Sequence, residues 1–157
     1  MLLRSLFFIC LYVPFMLIGI PIQFVISRSP WHSNVIPRWF HQMGCWFLGM
    51  KVNVIGTPST DKATLIVSNH VSWTDIIAVG SKADVTFVAK SEIAKWPFVG
   101  FMASLQKTLY VDRKRRTDAK RASEEMGARM AAGGAVLLFA EGQSDIGTHV
   151  LLFRSAL

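Results

Sequence analysis

Between Arg4 and Arg28 the chain carries no charged residue, and the segment LFFICLYVPFMLIGIPIQFVI inside that interval is almost wholly apolar. A helix needs about 20 such residues to cross the hydrocarbon core of a bilayer. Pro14, Gly19 and Pro21 interrupt the segment, and each proline removes a backbone donor and kinks a helix. A straight span and a broken helix dipping into one leaflet both fit. A secretory signal would share the single basic residue ahead of an apolar stretch, but no small-x-small cleavage site follows. The next stretch, PRWFHQMGCWFLGM, gathers Trp39, Phe40, Met43, Trp46, Phe47 and Met50 within about a third of the helical circumference. That stripe fits a helix lying in a membrane interface and equally a helix packed on a core; its place directly after an apolar anchor favours the interface. Residues 1–50 are therefore read as a membrane-anchoring helical segment.

With 157 residues, 52% of them hydrophobic, the chain is long enough for one domain with a real core plus appendages. A formal charge of +7 points to an anionic partner: nucleic acid, an anionic membrane surface or a phosphorylated substrate. The run RKRR at 113–116, followed by Lys120 and Arg121, holds much of that charge. No aromatic residues interleave it and the surrounding pattern is not helix-turn-helix, so nucleic acid is not the expected partner. A basic surface against anionic headgroups accounts for both the charge and the apolar N-terminus. Cys10 and Cys45 form no CxxC and have no metal-ligand spacing, so neither a disulfide framework nor a metal site is expected.

From residue 51 the pattern changes to short apolar runs separated by helical or turn-rich segments, the alternation of an α/β domain with a mostly parallel sheet flanked by helices. Strands are expected at KVNVI (51–55), ATLIV (63–67), VTFVA (85–89), TLYV (108–111) and AVLLFA (135–140). Helices are expected at 73–81, 91–104 and 117–132. In the last, Thr117 is the expected N-cap, Ala119, Ala122, Met126 and Met130 form one stripe, and Gly133-Gly134 is the stop. Four strands are followed by polar residues: His70, Lys90, Arg113 and Glu141. Open α/β sheets bind ligands beyond the carboxyl ends of their strands, which is where these four would converge. Taken singly, Lys90 and Arg113 also fit solvated residues where strands emerge, and Glu141 fits a loop carboxylate.

His70 precedes Asp75 by five positions in SNHVSWTDI. On one continuous helix that separation would turn the two side chains about 140° apart. With His70 in the loop ahead of the helix, the carboxylate can instead accept a proton from one ring nitrogen and leave the other basic. Ser72 and Asp75 also fit a capping pattern, which would give Asp75 a structural role. A neutral imidazole suits proton removal from an alcohol attacking an ester or thioester. No GxSxG elbow is present, so a covalent intermediate on the protein is not indicated.

NHVSWTD resembles the NHxxxxD motif of the 1-acyl-sn-glycerol-3-phosphate (lysophosphatidic acid) acyltransferases, within the wider glycerolipid acyltransferase group. TLYVDR (108–113) and FAEGQSD (139–145) resemble their second and third motifs, in the same order and at similar spacing. The resemblance implies an acyltransferase α/β domain over 51–157. His70 would be the general base and Asp75 would orient it. Arg113, helped by Lys90, would bind the acceptor's phosphate, and Glu141 and Gly142 would shape the acceptor pocket. It implies no cofactor and no metal, with acyl-CoA or acyl-carrier-protein as donor co-substrate. The acceptor would be 1-acyl-sn-glycerol-3-phosphate, giving phosphatidic acid in phospholipid biosynthesis, or another lysolipid such as lyso-ornithine lipid. A membrane-binding chain without turnover is a third reading. The implied location is the cytoplasmic membrane, with the catalytic domain facing the cytoplasm. Ala140 stands where the motif has proline, Gln143 where it has threonine, and Leu152 where a later VLPFKSG-like segment has proline. Since the family continues with a further strand and a fourth motif, a chain ending at Leu157 is expected to lack its C-terminal part.

Overall fold

Parallel strands buried on both faces read as continuous hydrophobic sequence; the apolar runs at 86–90, 109–111 and 135–139 pair in this way, while Leu65 and Val67 of the run at 64–68 leave one face of that strand exposed. The computed structural model describes residues 2–29, 33–57, 59, 63–112 and 115–154. Four strands, β1 (Thr64–Ser68), β2 (Thr86–Lys90), β3 (Leu109–Val111) and β4 (Ala135–Phe139), form one parallel sheet in the order β1-β4-β2-β3. Ser68 lies opposite Phe139, and Lys90 opposite Val111, so the carboxyl ends of all four strands point the same way. The chain divides into two compact units, one made of residues 1–55 and 76–84, the other of residues 56–75 and 85–157.

In the sheet unit, helix α6 (Arg116–Ala131) lays Ala122, Met126 and Met130 on a core of Val88, Leu109, Val111, Val136 and Leu138, as the small-and-methionine stripe predicts. Gly133, at φ 86°, ends α6: its N–H bonds to the carbonyl of Met130 and that of Gly134 to the carbonyl of Arg129, a Schellman arrangement that satisfies carbonyls left over by the last turn. Thr117 is not the N-cap. The helix begins one residue earlier, and Asp118 turns its carboxylate to the N–H of Asp112, 2.6 Å away, and to Arg121.

Two expected elements differ. Residues 51–55 form no strand, and Ile55 is 98% exposed; among the described residues β1 pairs only with β4, and a strand without a partner does not persist. The helix expected over 91–104 is a 3₁₀ turn (Ser91–Lys95) followed by a separate α5 (Val99–Leu105). Pro97 disfavours helical backbone at Trp96 and supplies no N–H, and Phe98 takes a positive φ of 62° at the break. Gly100 is required there, because a Cβ would lie 2.4 Å from the carbonyl oxygen of Ala94.

The other unit is helical. Residues Leu2–Phe7 (α1) and Val13–Arg28 (α2) are joined by a wider π turn over Phe8–Tyr12. That turn accommodates Pro14, whose ring would clash with the carbonyl four residues back in a regular helix. The result is an uninterrupted helical rod rather than a broken one. Ser5–Arg28 is long and apolar enough to cross a membrane, at about 1.5 Å per residue. The Nε2 of the buried Gln23 donates to the carbonyl of Ser33, 3.0 Å away.

Helix α3 (Val35–Leu48) runs antiparallel to this rod. Its aromatic stripe meets the rod's rings in sequence: Phe7 with Trp46, Phe8 with Phe47, Tyr12 with Phe40 and Phe15 with Trp39. Trp39 and Trp46 keep about half their surface exposed (52% and 46%), so the stripe both packs on the apolar rod and leaves rings facing outward. The opposite face packs on α4 (Thr74–Lys82), where a Cβ on Gly80 would sit 2.4 Å from the His41 ring and Cys45 Sγ lies 3.7 Å from the carbonyl oxygen of Ile77.

The Asp112 N–H and the Arg121 guanidinium hold the Asp118 carboxyl below the usual carboxylate range. A carboxyl depressed in the folded state contributes stability that is complete above its unfolded value and is lost as the pH falls through its folded one. Asp118→Asn is therefore expected to lower the urea midpoint at neutral pH, with the gap to the parent narrowing as the pH falls below about 4. A gap of constant size across that range would contradict the assignment.

Candidate functional site

Parallel pairing of β1 and β4 decides which residues meet. Ser68 and Phe139 are in register, so His70 and Glu141, each two residues further on, emerge level on adjacent strands. The backbone then turns sharply at both places. After β4 the N–H of Gly142 bonds back to the carbonyl of Phe139 at 3.1 Å, with Gly142 at φ 76°, a conformation that strongly favours glycine. After β1 the chain passes through Asn69 to Trp73 before α4 begins at Thr74.

His70 therefore precedes the helix, and Asp75, in its first turn, faces back toward it. His70 Nδ1 lies 2.9 Å from Asp75 Oδ2. The same oxygen accepts the N–H groups of Val71 at 2.7 Å and Ser72 at 2.9 Å, while Ser72 Oγ accepts the N–H of Thr74. Asp75 thus combines the capping and orienting roles that the sequence left as alternatives. An ionised carboxylate only accepts hydrogen bonds, so Nδ1 carries the proton and Nε2 holds the lone pair. Nε2 makes no hydrogen bond to the described residues. The ring lies against Phe139, with centroids 4.1 Å apart and planes 22° apart.

Glu141 reaches behind this pair. Its Oε2 accepts the His70 N–H at 2.6 Å and its Oε1 accepts the Leu151 N–H at 2.7 Å. The His70 carbonyl accepts the N–H of Asp145 at 3.0 Å, and the Ala140 carbonyl that of Arg154 at 2.9 Å. A loop from 141 to 154 is in this way tied to the loop that carries the imidazole. Lys90, the last residue of β2, is exposed at the same end of the sheet. Arg113 lies two positions beyond β3 in sequence, outside the described residues. The structure brings His70, Asp75 and Glu141 together, with Gly142 forming the turn beside them. Sequence reasoning gave no role to Phe139 or to the Leu151 and Asp145 amides. Phe139 could have been found as the last strand residue before the glutamate; the amides carry no side-chain signal. Among the described residues no three His, Cys, Asp or Glu side chains cluster to hold a metal ion.

The family profile described as Acyltransferase matches residues 51–157. The chain belongs to this acyltransferase family. It is 36% identical over 140 residues to a lyso-ornithine lipid O-acyltransferase of Brucella abortus, covering 88% of this chain and 52% of that one. It is 38% identical over 122 residues to a protein of the same name from Rhizobium meliloti, covering 78% and 42%. To the 1-acyl-sn-glycerol-3-phosphate acyltransferase of Neisseria gonorrhoeae it is 31% identical over 105 residues, covering 66% and 41%. The chain spans about half the length of these acyltransferases. No solved structure matches it.

Gly142→Ala places a Cβ in the left-handed region, at about 1–2 kcal/mol. It is expected to lower Tm by roughly 2–8 °C for a chain of this size. An unchanged Tm would show that residue 142 leaves that conformation freely and does not fix the turn beside Glu141.

Proposed function

We propose that this chain carries the base and the acceptor-binding groups of an O-acyltransferase acting on a lysolipid. The observation that carries the reading is the 2.9 Å pairing of His70 Nδ1 with Asp75 Oδ2, which leaves Nε2 as the basic nitrogen. In this reading Nε2 removes the proton from the acceptor's hydroxyl as its oxygen attacks the carbonyl carbon of an acyl-CoA or acyl-carrier-protein thioester. The C–S bond then breaks, and the departing thiolate recovers the proton from the imidazolium. Asp75 stabilises the positive charge that the ring carries in between.

For the acceptor, lyso-ornithine lipid is the favoured reading, because the relatives bearing that name are the more similar over a longer stretch. Its ornithine carboxylate would be gripped by Arg113 in two-point fashion, with Lys90 adding charge. The second reading, 1-acyl-sn-glycerol-3-phosphate as acceptor and phosphatidic acid as product, draws on the VDR motif and on the basic run from 113 to 116, which suit a phosphate. Both acceptors are amphiphiles. The apolar rod over Ser5–Arg28 supports a chain held at the cytoplasmic membrane, with its basic residues toward anionic headgroups on the cytoplasmic side.

Membranes containing the full chain, incubated with labelled acyl-CoA or acyl-carrier-protein and a panel of lysolipids, test the reading. Turnover is expected with lyso-ornithine lipid, and His70→Ala is expected to lower it by at least about 100-fold while vesicle binding is unchanged. Arg113→Ala is expected to raise KM for the acceptor by about 10-fold or more. Transfer that persists in His70→Ala would remove the base assignment. Vesicle binding without transfer to any acceptor would leave only a membrane-binding chain.

A further inference from the structure

We propose that Glu141 is a positioning residue that acts through His70, and that it does not touch the acceptor lipid. This inference rests on the reading of His70 as the base. Glu141 is 2% exposed, and both of its carboxylate oxygens are engaged by main-chain donors, the His70 N–H at 2.6 Å and the Leu151 N–H at 2.7 Å. A group that bound substrate would have to present an oxygen to the cleft, and would release one of two short, charge-assisted bonds to do so.

The chemistry of the pair explains why a carboxylate stands there. Both partners are N–H donors beyond the ends of strands, where the sheet ladder no longer supplies acceptors. A carboxylate accepts at both oxygens, whereas an amide of the same shape would turn an NH₂ group toward one of the donors. The two amides come from segments 81 residues apart in the chain, so one buried side chain fixes the base's backbone and the 141–154 loop together. His70 is then held at four points: its N–H by Glu141, its C=O by the Asp145 N–H, its Nδ1 by Asp75, and its ring face by Phe139. Glu141 is the only one of these that also holds a second loop through its side chain.

Glu141→Gln keeps the size and removes one acceptor, while Asp75 and Phe139 still contact the ring. The test compares the parent chain, His70→Ala, Glu141→Gln and Glu141→Asp as full-length proteins in lipid nanodiscs, reading steady-state kinetics and amide hydrogen exchange. The expected kinetic result for Glu141→Gln is a kcat lower by on the order of 10- to 100-fold, with KM for the lysolipid changed by less than about threefold. The expected exchange result is an acceleration of about 10-fold or more at the amides of His70 and Leu151, with the β4 amides from 136 to 138 still protected. A raised KM with kcat retained at saturation would overturn the proposal, as would unchanged exchange at both amides. If the glutamine variant loses β4 protection, Glu141→Asp takes its place. Its side chain is one methylene shorter and cannot reach both donors, so the same loss of kcat at constant KM is expected, and an undiminished kcat would overturn the proposal. Lack of turnover by the parent chain on every lysolipid would defeat the acyltransferase reading alone. The exchange measurement would still decide whether Glu141 clamps the loops.

Discussion

A single carboxylate oxygen sets the geometry of the site. Asp75 Oδ2 accepts from the His70 ring, from the Val71 N–H and from the Ser72 N–H, so the chain from 70 to 72 wraps around it like a collar. Hydrogen bonds to a charged group contribute about 1.5–3 kcal/mol each, and three of them converging on one atom leave little freedom to the segment. The five-residue spacing, which would separate the side chains on one helix, is the spacing such a wrap needs. Asp75 serves the first turn of α4 and the imidazole at once, so the capping and ring-orienting interpretations of the motif describe one structure.

The sheet brings a second carboxylate to bear on the same histidine. Because β4 lies beside β1 in parallel register, a residue more than seventy positions away arrives level with His70. Glu141 then secures the backbone while Asp75 secures the ring. The proposed proton transfer would depend on angular precision at Nε2, and the two carboxylates constrain His70 from two directions using strand ends and turns. The N-terminal rod and α3 form an aromatic seam that leaves two tryptophans half-exposed, an arrangement suited to the headgroup zone and consistent with the proposed lipid acceptor.

The apolar runs made four of the strands readable, since parallel strands, buried on both faces in β2–β4 and on one in β1, carry continuous hydrophobic sequence. KVNVI alternates polar and apolar residues as a strand would without becoming one, because pairing is a tertiary event that a local pattern cannot contain. The expected helix over 91–104 fails at Pro97, whose effect on the preceding residue was present in the sequence but outweighed by the surrounding apolar spacing. His70 and Asp75 were legible because their contact is local and passes through side chains. The task of Glu141 was not, since its partners are main-chain amides that any residue could supply, brought to it only by the register of the sheet.

With Asp75 accepting at Nδ1, the His70 ring is held with its proton on Nδ1 and its lone pair on Nε2. Nitrogen-15 NMR of the chain with labelled histidine tests this directly, with the His70 signals assigned among the four histidines by comparison with His70→Ala. In the neutral ring a protonated Nδ1 and a bare, pyridine-like Nε2 are expected. A proton resident on Nε2, with Nδ1 bare, would contradict it.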